Sequence, residues 1–155
     1  LSVMLSSITA ALHPHVLSYC SWEVETKGNP LAHAILRGYV DNTGRTRPNY
    51  HYEDLMGLYE QYQAKNLQNM AVIVDPNHAN SGKNHLQQPR IVNEVMHACR
   101  HSGEIRGMVK GFMVESYLED GNQKVGEGIY GKSITDPCLG WEKTEKMIFE
   151  LADQL

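Results

Sequence analysis

Three apolar runs, about 40 residues apart, each end in a polar side chain able to do chemistry. Leu31-Ala-His-Ala-Ile-Leu ends at Arg37, Met70-Ala-Val-Ile-Val-Asp-Pro-Asn ends at His78, and Val109-Lys-Gly-Phe-Met-Val ends at Glu115. Segments with helical periodicity lie between them. Parallel strands need a crossover of a dozen or more residues, usually a helix, so the spacing predicts repeated βα units. A reactive residue at the C-terminal end of each strand is where an α/β barrel keeps its active site. The expected fold class is therefore α/β, as a partial (β/α)8 TIM barrel.

The barrel can only be partial. A closed one needs eight βα units and roughly 250 residues. This chain has 155 residues, enough for one core, and shows three strong units. It opens on Leu1 rather than Met, which predicts a fragment or a processed chain. An open parallel sheet would leave its edges and much of one face uncovered, so the missing units are expected on another segment or another copy of the chain.

The remaining stretches fit around those strands. Val3 to Leu12 is expected to be a helix that Pro14 stops. His15–Tyr19 and Trp22–Thr26 alternate like a short β-hairpin near the N-terminus. Asp41–Asn49 reads as a polar loop. Leu55, Met56, Leu58, Tyr59 and Tyr62 mark the buried side of a helix, which makes Tyr50, Tyr52, Tyr59 and Tyr62 packing residues. Pro89 suits a helix start, and Ile91, Val92, Val95, Met96 and Cys99 continue that helix until Gly103 or Gly107 ends it. The last helix carries Trp141, Met147, Ile148 and Leu151. No linker divides the chain, so residues 1–155 are expected to form a single domain.

Composition narrows the partners. A net charge of −4 leaves no basic footprint for nucleic acid. No apolar run reaches the roughly 18–20 residues of a membrane span. Cys20, Cys99 and Cys138 are odd in number and lack a CxxC spacing, which points to reduced thiols and a cytoplasmic setting.

His78, Glu115 and Asp136 come from the ends of successive units. One imidazole and two carboxylates on one rim form a set suited to Mn, Fe, Co or Zn. Each also has a plainer role available. His78 can be a turn residue, Glu115 a solvated strand end, and Asp136 with Pro137 an N-cap and first residue of the last helix. Arg37 can hold a phosphate or carboxylate through its planar fork, or make an ion pair across the barrel mouth. Lys83 sits in Ser-Gly-Lys, but Asn77 stands where a phosphate loop needs glycine, which excludes that motif. His97 and His101 have zinc-compatible spacing. With Cys99 on the apolar face, stabilisation of a helix C-terminus is the simpler reading.

Several motifs occur together in one order: Ile35-Leu-Arg-Gly38 with Pro48-Asn-Tyr50, Asp75-Pro-Asn-His-Ala-Asn-Ser81, Met113-Val-Glu-Ser116 with Glu119-Asp-Gly-Asn-Gln123, Tyr130-Gly-Lys-Ser-Ile-Thr-Asp136, and Gly140-Trp141. From about Gly28 to Leu155 this resembles the C-terminal part of class I 3-deoxy-D-arabino-heptulosonate 7-phosphate (DAHP) synthase. Before Gly28 the likeness is thinner, and the hairpin is shorter than in feedback-inhibited members.

The resemblance implies a (β/α)8 barrel that condenses phosphoenolpyruvate with erythrose 4-phosphate, the first step of the shikimate pathway, and a divalent metal held by Cys, His, Glu and Asp. By motif match His78, Glu115 and Asp136 are three of those ligands, and Arg37 matches the arginine that binds phosphoenolpyruvate. Absent here are the family's metal-binding cysteine, its Lys-Pro-Arg-Thr segment, and the lysine and arginine of its middle strands. Cys138 matches a different family cysteine. Pro137 stands where the family has alanine, which predicts a stiffer start to the last helix. The cations left for three substrate anions are Arg37 and Lys83, with Arg45, Arg47 and Lys132 as further candidates. The chain alone is thus expected to be inactive, and to associate with further copies or with the missing N-terminal part. The other readings are a non-catalytic half-barrel acting in assembly or binding, and a different metal-dependent barrel lyase or aldolase.

Overall fold

A computed structural model describes residues 2–155. Helix α1 (Ser2–Leu12) leads into an antiparallel hairpin, β1 (Val16–Tyr19) and β2 (Trp22–Glu25). The hairpin turns on Cys20 and Ser21, both with positive φ (48° and 67°), the geometry that matches strand twist in a two-residue turn. Then follow β3 (Ala34–Leu36), β4 (Tyr39–Val40), β5 (Thr46–Arg47), α2 (Tyr52–Ala64), β6 (Val72–Val74), α3 (Gln88–His101), α4 (Gly103–Met108), β7 (Val109–Phe112) and α5 (Trp141–Ala152).

The three apolar runs become β3, β6 and β7, paired in parallel in that order. Each strand is only three or four residues long. Arg37 follows β3 directly, whereas His78 and Glu115 lie in the loops beyond β6 and β7. Alternation along the strands decides the faces. Ala34, Leu36, Val72 and Val74 are buried beneath the helices. Ile35 on the opposite face is 42% exposed, and Met113 beyond β7 is 41% exposed. The sheet is thus covered by helices on one side and open on the other.

The core follows from the helical stripes. Leu5 and Ile8 of α1, Leu55, Leu58 and Tyr62 of α2, Ile91 and Val95 of α3, and Ile105 and Met108 of α4 pack with the strands into one cluster. Val92 and Met96 of α3 meet Leu139 and Met147 in a second cluster that seats α5. Burial of Tyr50 and Tyr62 agrees with packing roles, while Tyr52 is 45% exposed.

Three local expectations need correction, and one further feature lies outside them. The polar loop 41–49 contains a small hairpin of β4 and β5, drawn together by Arg47 Nε donating to Asp41 Oδ2 at 2.8 Å. Gly103 does not end α3. Ser102 leaves the helical region there, and its hydroxyl accepts from Ile105 N at 3.2 Å, starting the separate helix α4. The last helix starts at Trp141 with Gly140 as its N-cap, so Asp136 caps nothing and Pro137 lies ahead of the helix. Finally, a fourth parallel position exists that periodicity does not reveal. Ser116 bridges Leu139 in parallel, Leu139 N donates to Glu115 O, and Tyr117 N donates to Leu139 O, each at 2.9 Å.

Candidate metal centre

The loop after β6 carries the centre. Asp75 is 2% exposed and stands three residues before His78. Its Oδ2 accepts from His78 Nδ1 at 2.7 Å, and its Oδ1 accepts from Asn77 N at 2.8 Å. An ionised carboxylate only accepts, so Nδ1 carries a proton and Nε2 points away from Asp75. His78 adopts a positive φ of 46°, in the left-handed region that histidine enters more readily than most residues.

Nε2 of His78 faces two carboxylates. Glu115 Oε1 lies 3.2 Å away and Asp136 Oδ2 lies 3.7 Å away. The ligand atoms of these three residues all fall within 4.8 Å of one another. A neutral His78 ring with its proton on Nδ1 turns an Nε2 lone pair toward the two carboxylates, an arrangement that a cation placed between the three groups would stabilise. An imidazole with two carboxylate oxygens, backed by an Asp on the far ring nitrogen, is the donor chemistry of a divalent transition metal, so the residues present fit such an ion.

Glu115 is held from three directions. Gln88 is fully buried; its side chain donates to Glu115 O and accepts from Glu115 N, both at 2.9 Å. Asn77 Nδ2 donates to Glu115 Oε2 at 2.6 Å, and Asn77 Oδ1 accepts from Ser81 Oγ at 2.9 Å. These contacts leave Oε1 for His78. Asp136 is looser and about half exposed. Cys138 lies close by, but it is outside the three-residue group. Burial pushes its thiol up, and the charges of Glu115 and Asp136 add to that.

Arg37 is tied to the same loop through its backbone. Asn80 Nδ2 donates to Leu36 O at 3.0 Å and to Asp75 O at 2.8 Å, while Ala79 N donates to Arg37 O at 3.2 Å. Gly38 N donates to Asn49 Oδ1 at 2.8 Å, and Asn49 N donates to Asn80 Oδ1 at 2.9 Å. The Arg37 side chain is exposed, and the ion pairs among the described residues involve other groups. Lys83 is exposed as well. Arg47 is engaged by Asp41, whose carboxyl sits well below the usual range through the Thr43 hydroxyl and the Arg47 guanidinium.

Asp75, Asn77, Asn80 and Gln88 carried no assigned role in the sequence. Asp75 had a local signal, an acid three residues before a candidate ligand. Gln88 had none, because its partner is 27 positions away.

Gly38 offers a direct test of this packing. Its φ is +73°, and a Cβ there would lie 2.7 Å from Asn80 N and 2.8 Å from the Ala79 carbonyl carbon. Gly44 has a similar φ of +80° with nothing within 4 Å. Gly44→Ala therefore carries only the conformational cost, about 1–2 kcal/mol. Gly38→Ala carries a similar cost plus a backbone collision, and thermal unfolding should show the larger loss of midpoint. Equal shifts would mean that the 36–38 and 79–80 segments do not approach this closely.

The family profile described as "DAHP synthetase I family" matches residues 2–148, so it includes the N-terminal helix and hairpin. A protein of Enterobacter agglomerans named "Phospho-2-dehydro-3-deoxyheptonate aldolase, Trp-sensitive" is 44% identical over 132 residues, covering 83% of this chain and 35% of that protein. The protein of the same name from Escherichia coli (strain K12) is 36% identical over 131 residues, with the same coverage. The solved structure of phospho-2-dehydro-3-deoxyheptonate aldolase from Francisella tularensis SCHU S4 aligns with a TM-score of 0.83 at 30% identity, over 97% of this chain and 43% of that one. The chain thus spans about a third of the length of the curated relatives it matches.

Proposed function

The chain belongs to the DAHP synthetase I family, and from that premise we propose that it forms the C-terminal part of one barrel domain that condenses phosphoenolpyruvate with erythrose 4-phosphate to DAHP. The observation that carries this reading is the convergence of His78, Glu115 and Asp136, with ligand atoms within 4.8 Å of one another. These three residues would hold the metal. A divalent Mn, Fe, Co or Zn ion bound there supplies Lewis-acid polarisation of the aldehyde of erythrose 4-phosphate.

The chain's own residues do the rest of what 155 residues can do. Asp75 keeps the His78 proton on Nδ1. Asn77 and Gln88 hold Glu115 rigid, which avoids reorganising the site as charge develops. Arg37 binds an anionic group of phosphoenolpyruvate, and Lys83 adds positive charge on the same loop as His78. Water addition and phosphate departure need further cations, which this reading assigns to the remaining barrel segment. That segment or a second copy is the expected partner. No described helix is long and apolar enough to cross a membrane. The three cysteines are unpaired, which suits a reducing cytoplasm.

Arg37→Lys in the reassembled or full-length enzyme tests the reading. Lysine keeps the charge and loses the bidentate fork. Phosphoenolpyruvate binding should weaken by roughly 1–3 kcal/mol, measured as KM or by calorimetry. Unchanged affinity would leave Arg37 a structural role only.

A further inference from the structure

We propose that Asn80 is a positioning residue that couples the two halves of the candidate site, so that a metal held by His78 stiffens the backbone that carries Arg37. The inference rests on the function proposed above and adds a link between its metal group and its anion group.

Asn80 is 5% exposed, and its side chain meets three separate segments. Nδ2 donates to Leu36 O at 3.0 Å and to Asp75 O at 2.8 Å, while Oδ1 accepts from Asn49 N at 2.9 Å. Carbonyl oxygens only accept and a backbone N–H only donates, so the amide fits in this one orientation. A shorter or apolar side chain here would leave backbone groups of all three segments without their partner.

The three bonds reach both groups of the site. On the metal side, Asp75 and Asn80 are the two ends of the loop that holds His78, and the Asn80 amide closes that loop. Asp75 in turn holds His78 Nδ1 through its carboxylate at 2.7 Å. On the anion side, Leu36 O accepts from Asp75 N at 2.9 Å as well as from Asn80, just ahead of Arg37. Arg37 O accepts from Ala79 N at 3.2 Å, and Gly38 N donates to the Asn49 side chain at 2.8 Å. Residues 36, 37 and 38 are each bonded to 79–80 directly or through Asn49. A loop ordered at His78 leaves fewer arrangements at Arg37, so ordering one group lowers the cost of ordering the other. The coupling is reciprocal: an anion on Arg37 raises metal affinity by the factor by which the metal raises anion affinity.

Hydrogen exchange on the 155-residue chain, with and without Zn²⁺, reads this link without substrate or turnover. In the parent, Zn²⁺ should slow the Gly38 and Asn49 amides by about fivefold or more beyond any change at Ile8, a core residue of α1 that reports global stabilisation. His78→Ala should abolish that response, which assigns it to the His78 centre. Asn80→Ser should abolish it while Zn²⁺ still binds by calorimetry and the helical circular dichroism is retained. Asn49→Ala keeps the Asn49 N–H bond to Asn80 and removes the side-chain acceptor of Gly38. It should therefore keep the Asn49 response and lose that of Gly38, and it carries the test if Asn80→Ser does not fold. A parent chain that binds no Zn²⁺ sinks the metal centre itself and this link with it. Zn²⁺ bound in the parent with Gly38 and Asn49 unmoved overturns the link alone. So does a response that survives in His78→Ala or Asn80→Ser, or at Gly38 in Asn49→Ala.

Discussion

Given Mn²⁺, phosphoenolpyruvate and erythrose 4-phosphate, the purified 155-residue chain is expected to consume no phosphoenolpyruvate above background. The paired sheet has three parallel strands and a fourth position at Leu139, against the eight strands that a barrel of this class requires. The free side of β3 offers unpaired backbone groups, and Ile35 and Met113 face outward on the uncovered side. Both features favour association, so sedimentation should show species larger than a monomer. Arg37 and Lys83, the cations assigned to the site, are few for the three anions of the proposed substrates. Adding the N-terminal two-thirds of a relative such as the Enterobacter agglomerans protein should restore turnover, because the two pieces would rebuild one barrel. Turnover like that of a complete enzyme from a monodisperse monomer would refute the idea that this chain needs the other strands.

Loss of the His78 imidazole should have the largest effect on metal binding at the proposed centre. His78→Ala removes the nitrogen donor, leaves Asp75 buried without its partner, and leaves Glu115 and Asp136 as two carboxylates with no third ligand. Mn²⁺ or Zn²⁺ affinity at this centre should fall well over tenfold, a larger change than the 10–100-fold typical of supporting residues would require at its lower end. Glu115→Gln keeps the Gln88 backbone clamp intact, so it should weaken the metal without loosening the loop. Calorimetry with Mn²⁺ on the 155-residue chain and its two variants reads this centre. If His78→Ala and Glu115→Gln bind the ion as the parent does, the three residues are not its ligands.

The βα repeat was legible because each unit is coded locally. Ala34–Leu36, Val72–Val74 and Val109–Phe112 are short apolar runs, and the α2 and α3 stripes recur at helical spacing over several turns. The hairpin of β1 and β2 was readable from alternation in the same way. The candidate centre was legible at the level of residue type and order. His78, Glu115 and Asp136 each follow an apolar run or glycine-rich stretch, and motif order tied them together. Boundaries were less readable. Ser102 splits α3 from α4 through a side-chain cap, which competes with a glycine signal one residue later. Asp136-Pro137 looks like a helix start in one dimension, yet the chain continues to Gly140 before turning helical.

By itself the sequence determined the class of the fold, the three strand segments and the stripes that face the core, because each depends on neighbours within one or two turns, while motif order singled out the residues of the candidate centre. Only the tertiary structure decided which acid stands behind His78, that buried Gln88 grips the backbone of Glu115 from 27 positions away, that Leu139 supplies a fourth parallel position, and that Asp136 faces His78 instead of capping a helix. Those contacts join segments whose meeting depends on how the βα units stack. A buried polar group takes whichever partner that stacking brings within hydrogen-bond reach, and no local periodicity encodes the choice.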